Sequence, residues 1–476
     1  MALLGLMLHA IDEMVDDGNL KWNMSEWLAG AIPASAHHHT AAWIKGATNT
    51  ACNQLGVARP EQQLFIKTAD QGANMVKAWD PEPCACHLIQ TNIRNSWPKQ
   101  PEVKETQAKG RAQVGYLHHS TIGRSDYLVC GGMLAWNPAS IPDQDVCTRW
   151  RTWWKMGDDM RARQDISQLF EIRYADTSAA ASSYSDNKFN LVNWAINNQG
   201  SAVLFGLAQT SDILEGKNYP TSNLIIPMVY LFIDSLDAAR PTRQFWNGAM
   251  IPVAAYVPAI KEARQMLYDC MYDCWVKNIK PTRLKRLLIT TLLDPRSKAL
   301  QIPFIDDEKR AWAWEMLEME YISRYSPTQP CTPDQSPAQA QPMAAAAAPA
   351  PAPYVAPTLG SFVGFMDLMS PAIPESPVRA AAAPMPKKEI VDEVALYKSL
   401  PAEPMDVNIL EWWPQRKAQF PFLSQMARQY LSAPASSASC ERVFSLAGRL
   451  FSDRQQNMTE RSLEERMWAK VDVEMP

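Results

Sequence analysis

The clearest hydrophobic pattern lies near the C-terminal end of the chain, in FPFLSQMARQYLS (420–432). Its apolar residues recur three and four positions apart, as on one face of an amphipathic helix: Leu423, Met426, Ala427, Tyr430 and Leu431. After a serine-rich turn, the pattern predicts two more helices with apolar faces that include Val443, Leu446, Leu463 and Met467. Three short helices with faces this wide hardly cover one another, which indicates packing against a second chain.

The pattern upstream predicts two unlike regions and a linker. In residues 1–135, short apolar runs such as LLGLML (3–8) and LFIKTA (64–69) predict buried strands. Residues 145–325 are predicted to be mostly helical, with IPMVYLFIDSL (226–236) apolar on nearly all sides, as in a buried helix. The stretch that follows is rich in Pro, Ala and Ser, and this composition predicts a disordered linker.

Composition and charge indicate a chain of several folded domains without a basic surface over its whole length. The chain has 476 residues, 47% of them hydrophobic, which is enough for two or three domains with cores of their own. A net charge of -4 excludes a basic field over the whole chain, so any DNA contact must come from local patches. The densest basic cluster is predicted to be a solvated helix face rather than a phosphate-binding surface: Lys277, Lys280, Arg283, Lys285 and Arg286.

The nine cysteines show no framework spacing and predict free thiols, and no apolar run is long enough to predict a membrane span.

Several residues carry candidate chemistry. Asp70 follows an apolar strand and could cap a turn or act as a ligand, and Glu441 opens a helix, where a carboxylate also favours the helix dipole. Cys84 and His87 form a single short pair, whereas a structural zinc site needs four ligands, so zinc is disfavoured. The run of histidines at 37–39 is better explained as the start of a helix capped by Thr40 than as a metal site.

The C-terminal motifs carry a resemblance to a known family. The core motif is Ser-Cys-Glu-Arg-Val-Phe-Ser (439–445), preceded by the helix described above and by a Trp-Trp pair at 412–413. Over roughly residues 389–473 the chain resembles the C-terminal dimerisation segment of hAT (hobo/Activator-like) transposases. Five weaker motifs in the family's order extend the resemblance upstream: IKTADQGANMVKA (66–78), PCACHLIQ (83–90), CTRWRTWWKM (147–156), SDILEGKNYPTSNLIIPMVY (211–230) and TLLDPRSKAL (291–300). The last two resemble stretches of the family's helical insertion.

The resemblance implies roles for individual residues. Family members have an RNase H-like core in which Asp, Asp and Glu hold two divalent metal ions for DNA strand cleavage and transfer. Asp70 and Glu441 match the second and third of these carboxylates, as catalytic residues and ligands of Mg²⁺. Cys84 and His87 match a Cys-x-x-His motif beside the catalytic pocket. The remaining implied catalytic residues match an Arg-Trp motif near DNA: Arg149 and Trp150.

The resemblance also implies a dimer face and a domain order. The implied contact residues are Leu423, Met426, Tyr430, Leu431, Arg442, Val443, Phe444, Leu446, Leu463 and Met467. The expected fold is α/β, an RNase H-like core interrupted by an all-α insertion. The expected domains are the first part of the core (1–150), the helical insertion (151–325), the disordered linker (326–388) and the C-terminal dimerisation segment completing the core (389–476).

One departure from the family pattern shapes the expected function. LHAID (8–12) resembles the family's second strand, so the first strand and its aspartate are expected to be missing. We therefore expect a nuclear, transposase-derived protein that homodimerises, with residual DNA binding, without strand transfer and without a cofactor. Two alternatives stay open: an active transposase with Mg²⁺ whose N-terminus is missing from the gene model, and a domesticated regulator or scaffold.

Overall fold

The computed structural model describes most of the chain. It covers residues 2–16, 19–34, 40–54, 66–70, 72–136, 139–146, 149–174, 182–240, 242–243, 250–325 and 392–450. The predicted linker (326–388) and the predicted last helix, with Leu463 and Met467, lie outside the described residues.

The described strands form three separate pairs. Their bounds are β1 Ala2–Asp16, β2 Asn19–Ala34, β3 Thr68–Ala69, β4 Glu82–Pro83, β5 Thr242–Arg243 and β6 Met250–Ile251. Strands β1 and β2 form a long antiparallel hairpin with a register shift between Leu6 and Met7, which confirms the predicted strand at LLGLML. Strands β3 and β4 are parallel, and β5 pairs with β6. No continuous sheet joins these pairs in the described part of the chain, so the RNase H-like core stays a prediction.

The described residues are mostly helical, as expected for an α/β chain with a large helical part. The helices from the first half of the chain are α1 Ala41–Gln54, α2 Ala73–Trp79, α3 Ala85–Ser96, α4 Pro101–His119, α5 Thr121–Met133, α6 Trp150–Ala162, α7 Gln164–Arg173, α8 Ser182–Ser185, α9 Leu191–Leu214 and α10 Ile225–Ser235. The later helices are α11 Pro258–Tyr272, α12 Pro281–Leu292, α13 Asp307–Arg324, α14 Glu393–Ser399, α15 Ile409–Gln415, α16 Leu423–Leu431 and α17 Ala438–Leu450. The predictions of a mostly helical 145–325 region and of a buried helix at IPMVYLFIDSL are confirmed.

The chain divides into two compact units. Unit 1 comprises residues 1–87, 213–228 and 280–476, and unit 2 comprises residues 88–212 and 229–279. The sequence predicts a change from core to helical insertion near residue 150, and that boundary between folding domains stays a prediction.

Unit 1 contains a buried aromatic cluster. Its members are Trp22, Tyr397, Trp412, Trp413 and Phe420. Trp413 is fully buried, stacks on Trp22 of β2 with ring centroids 6.4 Å apart and donates its indole N–H to the carbonyl of Leu293 at 3.0 Å. The cluster therefore joins the hairpin, the end of α12 and the region after residue 392.

The amphipathic helix predicted at 420–432 is α16, and its apolar face is buried inside unit 1. Its five apolar residues are each no more than 3% exposed. The helix packs on β1 and on α12. The chain itself therefore covers the face that the sequence pattern predicted to need a second chain, because residues distant in sequence supply the missing cover.

Unit 2 is a helical unit with two apolar clusters. One cluster centres on Tyr127, Ile166 and Phe170, and the other on Met160 and Trp194. In the part of the chain that the structure describes, no helix is both long and apolar enough to cross a membrane.

Candidate functional site

The candidate site lies in unit 1, where the beginnings of two helices meet. Backbone hydrogen bonds fix this meeting: Cys84 N donates to Ala69 O at 2.7 Å, and Ala85 N donates to Ala435 O at 2.9 Å. The first bond ties the start of α3 to the end of β3, directly before Asp70. The second ties it to the turn before α17. Two segments more than 340 positions apart therefore share one corner of the fold.

Short polar contacts cross this corner. The backbone N–H of Ser437 donates to Cys84 Sγ at 3.3 Å, and Ser437 Oγ lies 3.3 Å from His87 Nδ1. On the other side of the ring, His87 Nε2 lies 3.7 Å from Glu441 Oε1. The three residues Cys84, His87 and Glu441 thus form a chain of contacts that links α3 to α17.

Asp70 faces the same space. With His87 and Glu441 it lines a cavity of about 840 Å³, whose wall includes apolar residues of β1 and α1. Asp70 Oδ1 also accepts the backbone N–H of Gly72 at 3.2 Å, so the carboxylate caps a turn as well. The structure therefore brings together the implied second and third carboxylates and the implied histidine.

The charges of the Cys84–His87 pair differ from those of the isolated side chains. Hydrogen bonds from Cys86, His87 and Ser437 lower the pKa of Cys84 to about 3, although burial opposes them. The hydrogen bond with Cys84 raises the pKa of His87 to about 9, and the charges of Glu441 and Asp70 add to this effect. At neutral pH the pair is therefore a buried thiolate beside an imidazolium.

This ion pair predicts a defined dependence of stability on pH. The raised pKa of His87 stabilises the fold fully below its unfolded value of 6.5, and this contribution is lost as pH rises through about 9. The lowered pKa of Cys84 stabilises the fold above its unfolded value of 9.0, and this contribution is lost as pH falls through about 3. Between pH 6.5 and about 9 the two trends cancel, because folding moves one proton from the thiol to the imidazole.

We therefore expect the pair's stabilisation to be constant above pH 6.5 and to decline below it, with uptake of about one extra proton on unfolding. The measurement is the free energy of unfolding against pH for the wild-type chain and for Cys84→Ala. Cys52→Ala is the matched control, because Cys52 is also buried but burial raises the pKa of its thiol. Equal pH profiles for the wild type and Cys84→Ala would contradict the ion pair.

The donor set at this corner does not fit a site for two divalent metal ions. In the ranges covered by the structure, no group of three or more His, Cys, Asp or Glu side chains is arranged to hold a metal ion. Glu441 faces the ring of His87, and the raised pKa of His87 places a positive charge beside this carboxylate that opposes the binding of a metal cation there. The assignment of Asp70 and Glu441 as ligands of Mg²⁺ stays a prediction.

The other implied catalytic residues lie in unit 2. Trp150 is the first residue of α6 and is 3% exposed, and Arg149 directly precedes it. Their role near DNA stays a prediction.

The basic cluster at residues 277–286 is neutralised by ion pairs, since each of its five cations has a carboxylate within 3.4 Å. Two of them, Arg283 and Arg286, share the buried Glu82.

The implied dimer contacts fall into three groups. Five are buried within unit 1: Leu423, Met426, Tyr430, Leu431 and Val443. Two have other surroundings, since Arg442 contacts Glu26 of β2 and Phe444 is 40% exposed. The Leu446 side chain, Leu463 and Met467 lie outside the described residues. Among the described apolar contacts, Phe444 alone is exposed, and it also lines the cavity that Asp70, His87 and Glu441 share.

Two residues at the corner carried no functional signal in the sequence. Ser437 belongs to the serine-rich turn before α17, where a serine is usually explained as a helix cap. Glu26 lies in the hairpin at a position where polar and apolar residues mix, and no motif marks it. Only the packing of β2 against α17 reveals that Glu26 accepts hydrogen bonds from Ser439 and Arg442.

Comparison with known proteins places the C-terminal part of the chain. Residues 393–472 match the hAT family C-terminal dimerisation region. A stretch of 44 residues is 43% identical to the zinc finger BED domain-containing protein DAYSLEEPER of Arabidopsis thaliana, covering 9% of this chain and 6% of that relative. The match to the dimerisation region contains α14–α17, including Glu441 and Arg442. The resemblance predicted for the C-terminal segment is thus confirmed, and the chain is related to the hAT family through a C-terminal dimerisation region at residues 393–472.

Proposed function

We propose that this chain is a hAT transposase-derived protein that self-associates through residues 393–472 and does not cut DNA with the residues it presents. The observation that carries the proposal is the match of those residues to the hAT dimerisation region. An RNase H-like arrangement around Asp70 and Glu441, residual DNA binding and a nuclear location belong to the same proposal. The shared cavity of Asp70, His87 and Glu441 supports the first of these.

The exposed part of α17 is the proposed contact between copies. Its first turns place Val443 in the core, while Phe444 keeps 40% of its surface exposed. An exposed phenylalanine inside a region related to dimerisation segments is well suited to an interface, because aromatic residues are enriched there. The buried face of α16 instead holds unit 1 together.

The test is the mass of the full chain in solution, measured by light scattering or sedimentation at micromolar concentrations. We expect a dimer or larger assembly for the wild type. Phe444→Ser should raise the dissociation constant by about tenfold, because a symmetric interface buries the remaining 40% of this side chain on each of two chains, and complete burial of one such side chain contributes about 1.5–3 kcal/mol.

Met319→Ser is the matched control, because Met319 is an exposed apolar residue of unit 1 outside the dimerisation region. It should leave the mass unchanged. A monomeric wild type would overturn the proposal, and equal effects of both variants would remove α17 from the interface.

A second candidate function is metal-dependent DNA strand cleavage, which the meeting of Asp70 and Glu441 at one cavity favours. The side chains at this cavity disfavour metal-dependent cleavage, because Glu441 already faces the cationic imidazolium of His87.

A further inference from the structure

Glu26 is a buried carboxylate for which the proposed function has no role. It lies in β2 opposite His9 of β1, and its side chain is 9% exposed. Ser439 Oγ donates to Glu26 Oε1 at 3.0 Å, and Arg442 Nη2 lies 3.4 Å from Glu26 Oε2. His9 Nδ1 lies 3.6 Å from Glu26 Oε1. The carboxylate therefore receives one partner from its own hairpin and two from α17.

Arg442 is the countercharge of Glu26. Burial lowers the pKa of His9, so His9 is neutral at neutral pH and contributes no charge. Arg442 also donates to Ser439 Oγ at 3.2 Å and to the carbonyl of Glu215 at 3.4 Å. One guanidinium thus ties the start of α17 both to the hairpin and to the residue after α9.

The contact of Glu26 with Ser439 and Arg442 fixes the rotation of α17 about its own axis. Residues three apart share a helix face, so Ser439 and Arg442 both meet Glu26. Successive residues are rotated by about 100° around the axis, so Glu441 must point away from Glu26 once Arg442 is fixed. Its carboxylate then faces His87, at 3.7 Å from Nε2.

This ion pair is a weak source of net stability, because the burial of the Glu26 carboxylate is costly and the Arg442 side chain, which is 36% exposed, is still partly solvated. The contribution of the Glu26–Arg442 pair is to the geometry of α17, since the helix must keep one rotation for Ser439 and Arg442 both to contact Glu26. We propose that Glu26 is a positioning residue that, through Arg442 and Ser439, holds α17 in the rotation that directs Glu441 at His87 and at the cavity lined by Asp70. The inference concerns the carboxylate site of the proposed function and is independent of self-association.

The test uses the full chain and measures the pKa of His87 by NMR of histidine side chains, assigned with His87→Gln. Glu441→Gln should lower this pKa, because the charge of Glu441 helps to raise it. Glu26→Gln should produce most of the same fall, since the neutral amide no longer holds Arg442 and Glu441 turns away. The double variant should match Glu441→Gln alone, because both changes act through one contact.

Glu13→Gln is the matched control. Glu13 is also a hairpin carboxylate paired with a cation of the C-terminal region, Lys417 at 2.7 Å. In the described part of the chain its side chain accepts hydrogen bonds from Lys417 and Trp22, neither of which belongs to α17. It should leave the pKa of His87 unchanged. An unchanged pKa in folded Glu26→Gln, or a double variant whose fall is the sum of the two single falls, would overturn the inference. The mass of each variant is measured as well, so that a failure of self-association is distinguished from a failure of positioning.

Discussion

Replacing Trp413 with alanine should destabilise unit 1 by about 3–5 kcal/mol, the usual cost of removing a large aromatic side chain from a core. Trp413 is fully buried between Trp22, Tyr397 and Phe420. The change would leave a cavity among these rings and would also leave the carbonyl of Leu293 without the indole N–H that it accepts. The cavity and the lost hydrogen bond both lie where the β1–β2 hairpin packs against the C-terminal region.

The measurement is hydrogen exchange of the backbone amides of β1, β2 and α15 in the wild type and in Trp413→Ala. Following individual amides is preferable to a single melting curve, because a chain with two compact units need not unfold in one step. Trp27→Ala is the matched control, since Trp27 lies in the same hairpin but is 46% exposed. A loss below about 1 kcal/mol for Trp413→Ala would show that the cluster does not hold unit 1 together.

The chain should not nick DNA in the presence of Mg²⁺ or Mn²⁺. A site of this kind holds two ions about 3.5–4 Å apart, and their combined positive charge needs several anionic ligands. Asp70 and Glu441 are the two carboxylates at the cavity that the resemblance assigns to this role. The imidazolium of His87 adds a further positive charge beside Glu441, which opposes the binding of a cation at that carboxylate.

A supercoiled plasmid provides the assay, because a single nick relaxes it. We expect the same background with the wild type, with Asp70→Asn and with Glu441→Gln. Asp80→Asn is the matched control, since Asp80 is a nearby carboxylate that pairs with Lys280 on the surface of unit 1. Metal-dependent nicking that Asp70→Asn and Glu441→Gln abolish, and Asp80→Asn preserves, would restore the enzymatic alternative.

The local patterns of the sequence determined several elements before any contact was known. Apolar spacing identified α16, because a periodic face shows which side of a helix meets the core. Continuous apolar runs identified the strand at LLGLML and the buried helix α10. Thr40 was identified as the cap of α1, and its hydroxyl accepts the N–H of Trp43 at 3.2 Å. The motif at 439–445 identified the family of the C-terminal region, since its residue order is specific.

Only the tertiary structure decided what covers these elements. The face of α16 was predicted to need a second chain, yet β1 and α12 cover it, because apolar spacing states that a face is buried and not by what. The same limit applies to charges. Glu26, His87 and the neighbouring pair Glu441 and Arg442 lie on three separate elements, and the packing of α17 on the hairpin joins them into one network. Contacts between residues 350–416 positions apart have no local pattern to record them, which is why the corner of the site depended on the fold.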